Sequence, residues 1–148
     1  MFRSCIVGVM LCASFASQAA EGVVSIKSQY SVQETADKFV SLVESKGLNV
    51  FGRIDHGKNA EQAGLSLRPT QVIIFGNPKV GTPLMQCAQS MAIDLPQKVL
   101  VSQDENQQVW LSYNDPQYLK QRHDIKGCDP VIDKVSQVLS GLAKASVQ

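Results

Sequence analysis

Three short stretches hold the residues best suited to chemistry: Arg53-Ile54-Asp55-His56, Gly76 through Thr82, and Tyr113-Asn114-Asp115. In the first, a carboxylate that orients an imidazole would give acid/base catalysis, with His56 or His123 moving the proton and Asp55 holding the ring. The same groups, joined by His123 and Asp124, would suit a His/carboxylate metal site. Spacing argues against the metal. Asp55 and His56 are adjacent at a strand end, where neighbours face opposite ways. The chain has two histidines, and neither stands at helical i, i+4 spacing from another ligand. A strand-end turn with surface hydrogen bonds is the stronger reading, and no metal or cofactor is expected.

Gly76-Asn77-Pro78-Lys79-Val80-Gly81-Thr82 has the glycine spacing of a phosphate-binding loop. A Walker A loop places Lys and then Ser/Thr directly after its second glycine. Here Thr82 follows Gly81 directly and Lys79 sits inside the loop. Pro78 and Pro83 each remove a backbone N–H that a phosphate cradle would use. Nucleotide hydrolysis is excluded on these grounds. A weaker anion site remains, in which the N–H groups of Val80, Gly81, Thr82 and Leu84 converge at a helix start beside Lys79. The plainer alternative has the two glycines shape the turn, Thr82 cap a helix with Pro83 in its first position, and Lys79 face solvent.

Tyr113 and Asn114 offer a hydroxyl and an amide to a pocket, while Asp115-Pro116 is cap chemistry. No Gly-x-Ser-x-Gly occurs, and no Ser or Cys stands in a recognisable hydrolase context. Cys87 falls on the apolar side of its expected helix, which favours packing or a disulfide over reactivity.

Regular elements must carry these groups. Gly22–Tyr30 alternates as a strand, and Ser31-Val32-Gln33-Glu34 is a capping box. The helix behind it turns Val32, Ala36, Phe39, Val40 and Val43 to one side and ends near Gly47. Leu48, Val50 and Ile54 then point one way, and Asn49, Phe51, Arg53 and Asp55 the other, as in a second strand. One helical turn is expected between Asn59 and Gly64. Gln71–Phe75 is apolar enough for a central strand. The helix after Thr82 carries Leu84, Cys87, Ala88 and Met91 inward. Lys98–Ser102 and Val109–Tyr113 form a hairpin around Gln103–Gln107. Asp115-Pro116 starts a short helix with Tyr118, Leu119 and Arg122. Asp129-Pro130 starts the last, with Ile132, Val135, Val138, Leu139 and Leu142 inward. The order predicts an α+β fold: a mostly antiparallel sheet with helices packed on one face.

The N-terminus reads MFRSCIVGVMLCASFASQAA. Arg3, an apolar run from Ile6 to Ala16 and small residues at Ser17 and Ala19 make a signal-peptide pattern, cleaved after Ala19. The run is too short for the ~20 residues that span a bilayer. The expected organisation is residues 1–19 as a signal peptide and 20–148 as one domain, working in the periplasm or secreted. The chain has 14 basic and 13 acidic residues, and losing Arg3 leaves 13 of each. With no basic block, nucleic-acid binding is not expected. No integral membrane span remains after the signal. Of four cysteines only Cys87 and Cys128 survive cleavage. An oxidising compartment favours a disulfide between them, the alternative being two buried thiols.

From about Tyr30 to His123 the chain closely resembles the family known as domain of unknown function 302. The resemblance rests on Arg53-Ile54-Asp55-His56, the Phe75–Gln86 loop, Asp94-Leu95-Pro96 and Trp110–Pro116, all in order. It implies a β-α-β4-α core, similar to TBP-like sheets, and homodimers. It implies no particular reaction, so no residue role is carried over. The function expected is a small-ligand binding module, for an anion or a partner segment. Its pocket is edged by Arg53, Asp55, His56, Asn77, Lys79, Gly81, Thr82, Tyr113 and Asn114. An enzyme using His56 or His123, and a purely structural dimer, are the alternatives. The pocket requires residues 53–56, 76–82 and 113–115 to meet at one sheet edge.

Overall fold

The computed structural model of the protein describes residues 20–148. The expected signal peptide and its cleavage point fall on or beside residues 1–19, outside the described residues.

The chain runs β1 (Val23–Lys27), α1 (Val32–Ser45), β2 (Asn49–Asp55), α2 (His56–Gln62), β3 (Thr70–Gly76), α3 (Pro78–Cys87), a 3-10 turn (Gln89–Ile93), β4 (Gln97–Gln103), β5 (Val109–Asn114), α4 (Pro116–Arg122) and α5 (Asp129–Val147). The five strands form one antiparallel sheet in the order β1-β5-β4-β3-β2. With α2, α3 and α4 set aside as insertions, this is the expected β-α-β4-α core.

Local signals explain the elements. The Ser31 hydroxyl accepts from Glu34 N and the Glu34 carboxylate accepts from Ser31 N, which closes the capping box of α1. Gly47 takes φ +70 just beyond the helix, a value that Gly adopts freely. Asp104 builds the hairpin turn: its Oδ1 accepts from Asn106 N and Gln108 N, and its Oδ2 from the Trp110 indole.

Strand register sorts the residues by face. Ile73, Phe75, Val99, Val101, Leu111 and Tyr113 point toward the helices and are buried. Phe39 of α1 meets Phe75 edge to face, ring centroids 5.0 Å apart. Full burial of such a side chain is worth about 1.5–3 kcal/mol. The α5 residues Ile132, Leu139 and Leu142 complete this layer.

Three expectations need correction. A β-bulge between Val50 and Gly52 shifts the β2 register. Arg53 and Asp55 therefore share the helix face with Val50, opposite Ile73 and Gln71, while Ile54 turns to the open face and is 37% exposed. Thr82 does not cap α3. The helix starts five residues earlier, with Asn77 as cap and Pro78 in the first position, so Pro83 lies inside it. Val138 does not point into the core and is 40% exposed.

Candidate functional site

The antiparallel pairing decides where the three stretches go. Asp55 lies opposite Gln71, whereas Asn49 lies opposite Gly76. Gly76 lies five residues along β3 from Gln71, the partner of Asp55, so at about 3.4 Å per residue the Asp55 end and the Gly76 end are about 17 Å apart. The expected meeting of 53–56 with 76–82 at one edge does not occur.

Arg53 and Asp55 are used inside the fold. Arg53 donates from Nη1 to Asp37 Oδ1 at 2.5 Å and from Nε to Gln71 Oε1 at 2.8 Å. Gln71 Nε2 donates in turn to Gln33 Oε1 at 3.0 Å and Asp55 Oδ2 at 3.3 Å. Asp55 also caps α2 through Oδ1, which accepts from Lys58 N at 2.9 Å. The Arg53 guanidinium, helped by Gln33, holds the Asp37 carboxyl below its ordinary range. His56 is exposed at the first position of α2. Among the described residues no three His, Cys, Asp or Glu side chains cluster as a metal site.

The anion cradle is also closed. Lys79 N donates to Asn77 Oδ1, and Val80 N and Gly81 N both donate to the Asn77 carbonyl, each at 2.9 Å. Of the N–H groups expected to converge on an anion, those of Val80 and Gly81 thus wind the first turn of α3, and Thr82 and Leu84 lie further along the same helix. Tyr113 is 7% exposed among the core residues, and burial raises its phenol above the ordinary range. Asn114 pairs with Val23 in the sheet, and Asp115 caps α4 by accepting from Gln117 N at 2.9 Å.

Asn77, Gly81 and Thr82 do line a cleft, of a different character. It holds about 720 Å³ between the ends of β2, β3 and β4, the helix α3 and one side of α5. Phe75, Leu84 and Leu139 form its buried depth, and Phe51 and Val138 stand exposed toward its mouth. Lys46 and Lys134 add two cations to its lining. Gln97 also lines it, 8% exposed, with its Nε2 buried and without a hydrogen-bond partner. A buried amide donor left unpaired costs about 1–3 kcal/mol.

Sequence reasoning passed over Gln97, Lys46, Lys134 and Phe51. One signal was present: Gln97, Val99 and Val101 share a face by period two, so a polar residue occupies an apolar position. His123 is likewise not paired with Asp124 or Asp55. Its Nε2 meets Asp94 Oδ2 at 2.5 Å and its Nδ1 meets Ser90 Oγ at 3.0 Å, while Asp124 pairs with Lys126. Cys87 and Cys128 have their sulfurs within bonding reach, with Cα atoms 6.5 Å apart.

A family model described as domain of unknown function DUF302 matches residues 24–142. The chain belongs to the DUF302 family. A crystal structure of an uncharacterized conserved DUF302 protein from Bacillus stearothermophilus superposes with a TM-score of 0.77, covering 86% of this chain and 99% of that one. At 15% identity it supports the fold alone. Among curated proteins, the fluoride-specific ion channels FluC 1 of Brucella suis and FluC 1 of Brucella abortus are each 46% identical over 110 residues, 74% of this chain. The match spans 43% and 41% of their respective lengths, so this DUF302 chain corresponds to under half of either relative.

Proposed function

We propose that this DUF302 chain is a binding module whose cleft holds a small, chiefly apolar molecule bearing a hydrogen-bond acceptor. The buried, unpartnered Nε2 of Gln97 carries the reading, because a bound acceptor would offset the cost of burying that donor. Lys46 and Lys134 favour a ligand with an anionic end, since among the described residues neither joins an ion pair. The apolar depth matches the pattern of small-molecule sites, mostly hydrophobic walls with a few placed polar groups. Among the described residues that line the cleft no nucleophile is hydrogen-bonded to a base, which favours binding over reaction there.

The likeness to fluoride channels does not carry a pore to this chain. No helix of the described residues is long and apolar enough to cross a membrane. The shared 110 residues are read as a domain carried beside the channel, and an apolar cleft does not suit a strongly hydrated fluoride ion. Residues 1–19 are read as an export signal, with the domain acting in the periplasm or outside the cell. A Cys87–Cys128 disulfide fits that setting.

Mass spectrometry of gently purified protein tests the ligand. A small molecule released on denaturation, and missing from Gln97→Leu, is the expected result. Empty protein that binds neither decanoate nor decanol would remove the proposal.

A homodimer is the second reading, supported by the open sheet face. Ile54, Val72 and Leu100 form one row across the strands there, with Ile74 and Trp110 alongside. These residues are half-buried or exposed. Pairing of two such faces would cover them.

A further inference from the structure

We propose that Ser90 is a nucleophile activated by His123 and Asp94, reacting with activated acyl and phosphonyl esters. Ser90 lies in the 3-10 turn, Asp94 directly follows that turn, and His123 closes α4 by donating its N–H to the Leu119 carbonyl. The three side chains form a line: Asp94 Oδ2 at 2.5 Å from His123 Nε2, and His123 Nδ1 at 3.0 Å from Ser90 Oγ. The imidazole and carboxylate are sheltered, their side chains 6% and 13% exposed, while Ser90 is exposed to solvent.

This order assigns roles. Nε2–H donates to Asp94, which holds the neutral ring in one tautomer and leaves the Nδ1 lone pair facing the Ser90 hydroxyl. Arg122 Nε, 3.6 Å from Asp94 Oδ2, gives the carboxylate a positive partner beside the neutral ring. Two chain segments must stay in register for the line to persist. Cys87, three residues before Ser90, and Cys128, five after His123, hold those segments together.

Ser90 Oγ attacks the carbonyl carbon of an activated ester, forming an Oγ–C bond as the hydroxyl proton passes to His123 Nδ1. The bond to the leaving group breaks with its electron pair, and the leaving group takes the proton from Nδ1. Water then repeats the sequence on the acyl-serine and restores Ser90. With a fluorophosphonate, Oγ bonds to phosphorus and fluoride departs. The open position of Ser90 suits small esters with good leaving groups. This centre is distinct from the cleft, which the same segment meets through Ala92 and Leu95.

The test is fluorophosphonate labelling of the purified protein, followed by intact mass and peptide mapping, with 4-nitrophenyl acetate as the acyl probe. A single adduct on Ser90 is expected, absent in Ser90→Ala. His123→Gln should slow labelling by about 100-fold or more, and Asp94→Asn by about 10-fold or more. The wild-type rate should rise with pH as an imidazole loses its proton. No adduct on Ser90, or an unchanged rate in folded His123→Gln, would overturn the proposal and leave a structural clamp. Should His123→Gln fail to fold, a labelling rate with no imidazole-like pH dependence overturns it equally.

Discussion

Arg53 on β2 reaches Asp37 on α1, Nη1 to Oδ1 at 2.5 Å, and so points into the helix layer. A residue placed by its sequence context at the lip of a pocket instead ties an edge strand to a helix. Arg53→Ala should lower stability by about 1–2 kcal/mol, chiefly because it leaves the buried Gln71 Oε1 unpaired. The surface ion pair itself adds little. Urea unfolding measures the loss, and ligand capture in the cleft should be unchanged.

Gln97→Leu separates stability from function. Removing an unpaired buried donor should raise the stability of the ligand-free protein by about 1 kcal/mol. The same change should abolish capture of the cleft ligand. Thermal unfolding with and without added decanoate reads both effects, and a variant that is less stable yet still protected by decanoate would contradict the assignment.

Trp110 is the chain's one tryptophan and donates to Asp104 Oδ2 at 2.8 Å. That bond, followed by the N–H groups of Gln108 and Asn106, holds the Asp104 carboxyl below its ordinary range. A carboxyl lowered in the folded state contributes stability above its unfolded pKa and loses it as pH falls through the folded one. Hairpin stability should therefore decline below about pH 4. Trp fluorescence during urea unfolding at neutral and acid pH follows this directly, and Asp104→Asn should flatten the dependence.

Cys87 and Cys128 should be joined in protein exported to an oxidising compartment. Non-reducing mass spectrometry should find no free thiol in protein cleaved after Ala19. Breaking a bond that closes 41 residues should cost about 2–4 kcal/mol.

Self-association through the open sheet face should give twice the monomer mass in sedimentation velocity. Ile54→Lys combined with Leu100→Lys should yield monomers with an unchanged helical spectrum. A wild-type protein that stays monomeric at high concentration would rule the dimer out.

Periodicity and caps carried much of the fold. The Ser31/Glu34 box, Gly47, the hairpin and Asp115-Pro116 were legible because each depends on residues within a few positions of one another. Two prolines competed to start α3. Pro83 followed a threonine and Pro78 an asparagine; both are accepted caps, with asparagine the better of the two. The structure chose Asn77-Pro78, which used up the Val80 and Gly81 donors of the proposed anion site. A bulge at Val50–Gly52 cannot be seen in alternation, yet it decides which way Arg53 and Asp55 point. The cleft takes residues from four distant segments, and the Asp94–His123 contact joins positions 29 apart. Strand order sets such meetings, and alternation reports only faces.

That order also governs assembly in time. Val23 on β1 pairs with Asn114 on β5. β1 must wait, unmatched, until β5 has been synthesised before its neighbour exists. Such a chain favours late, concerted closure over growth from its amino end. A ribosome-stalled fragment ending before residue 109 should therefore remain sensitive to protease throughout, and that openness is the condition in which a polypeptide can be threaded through a translocon.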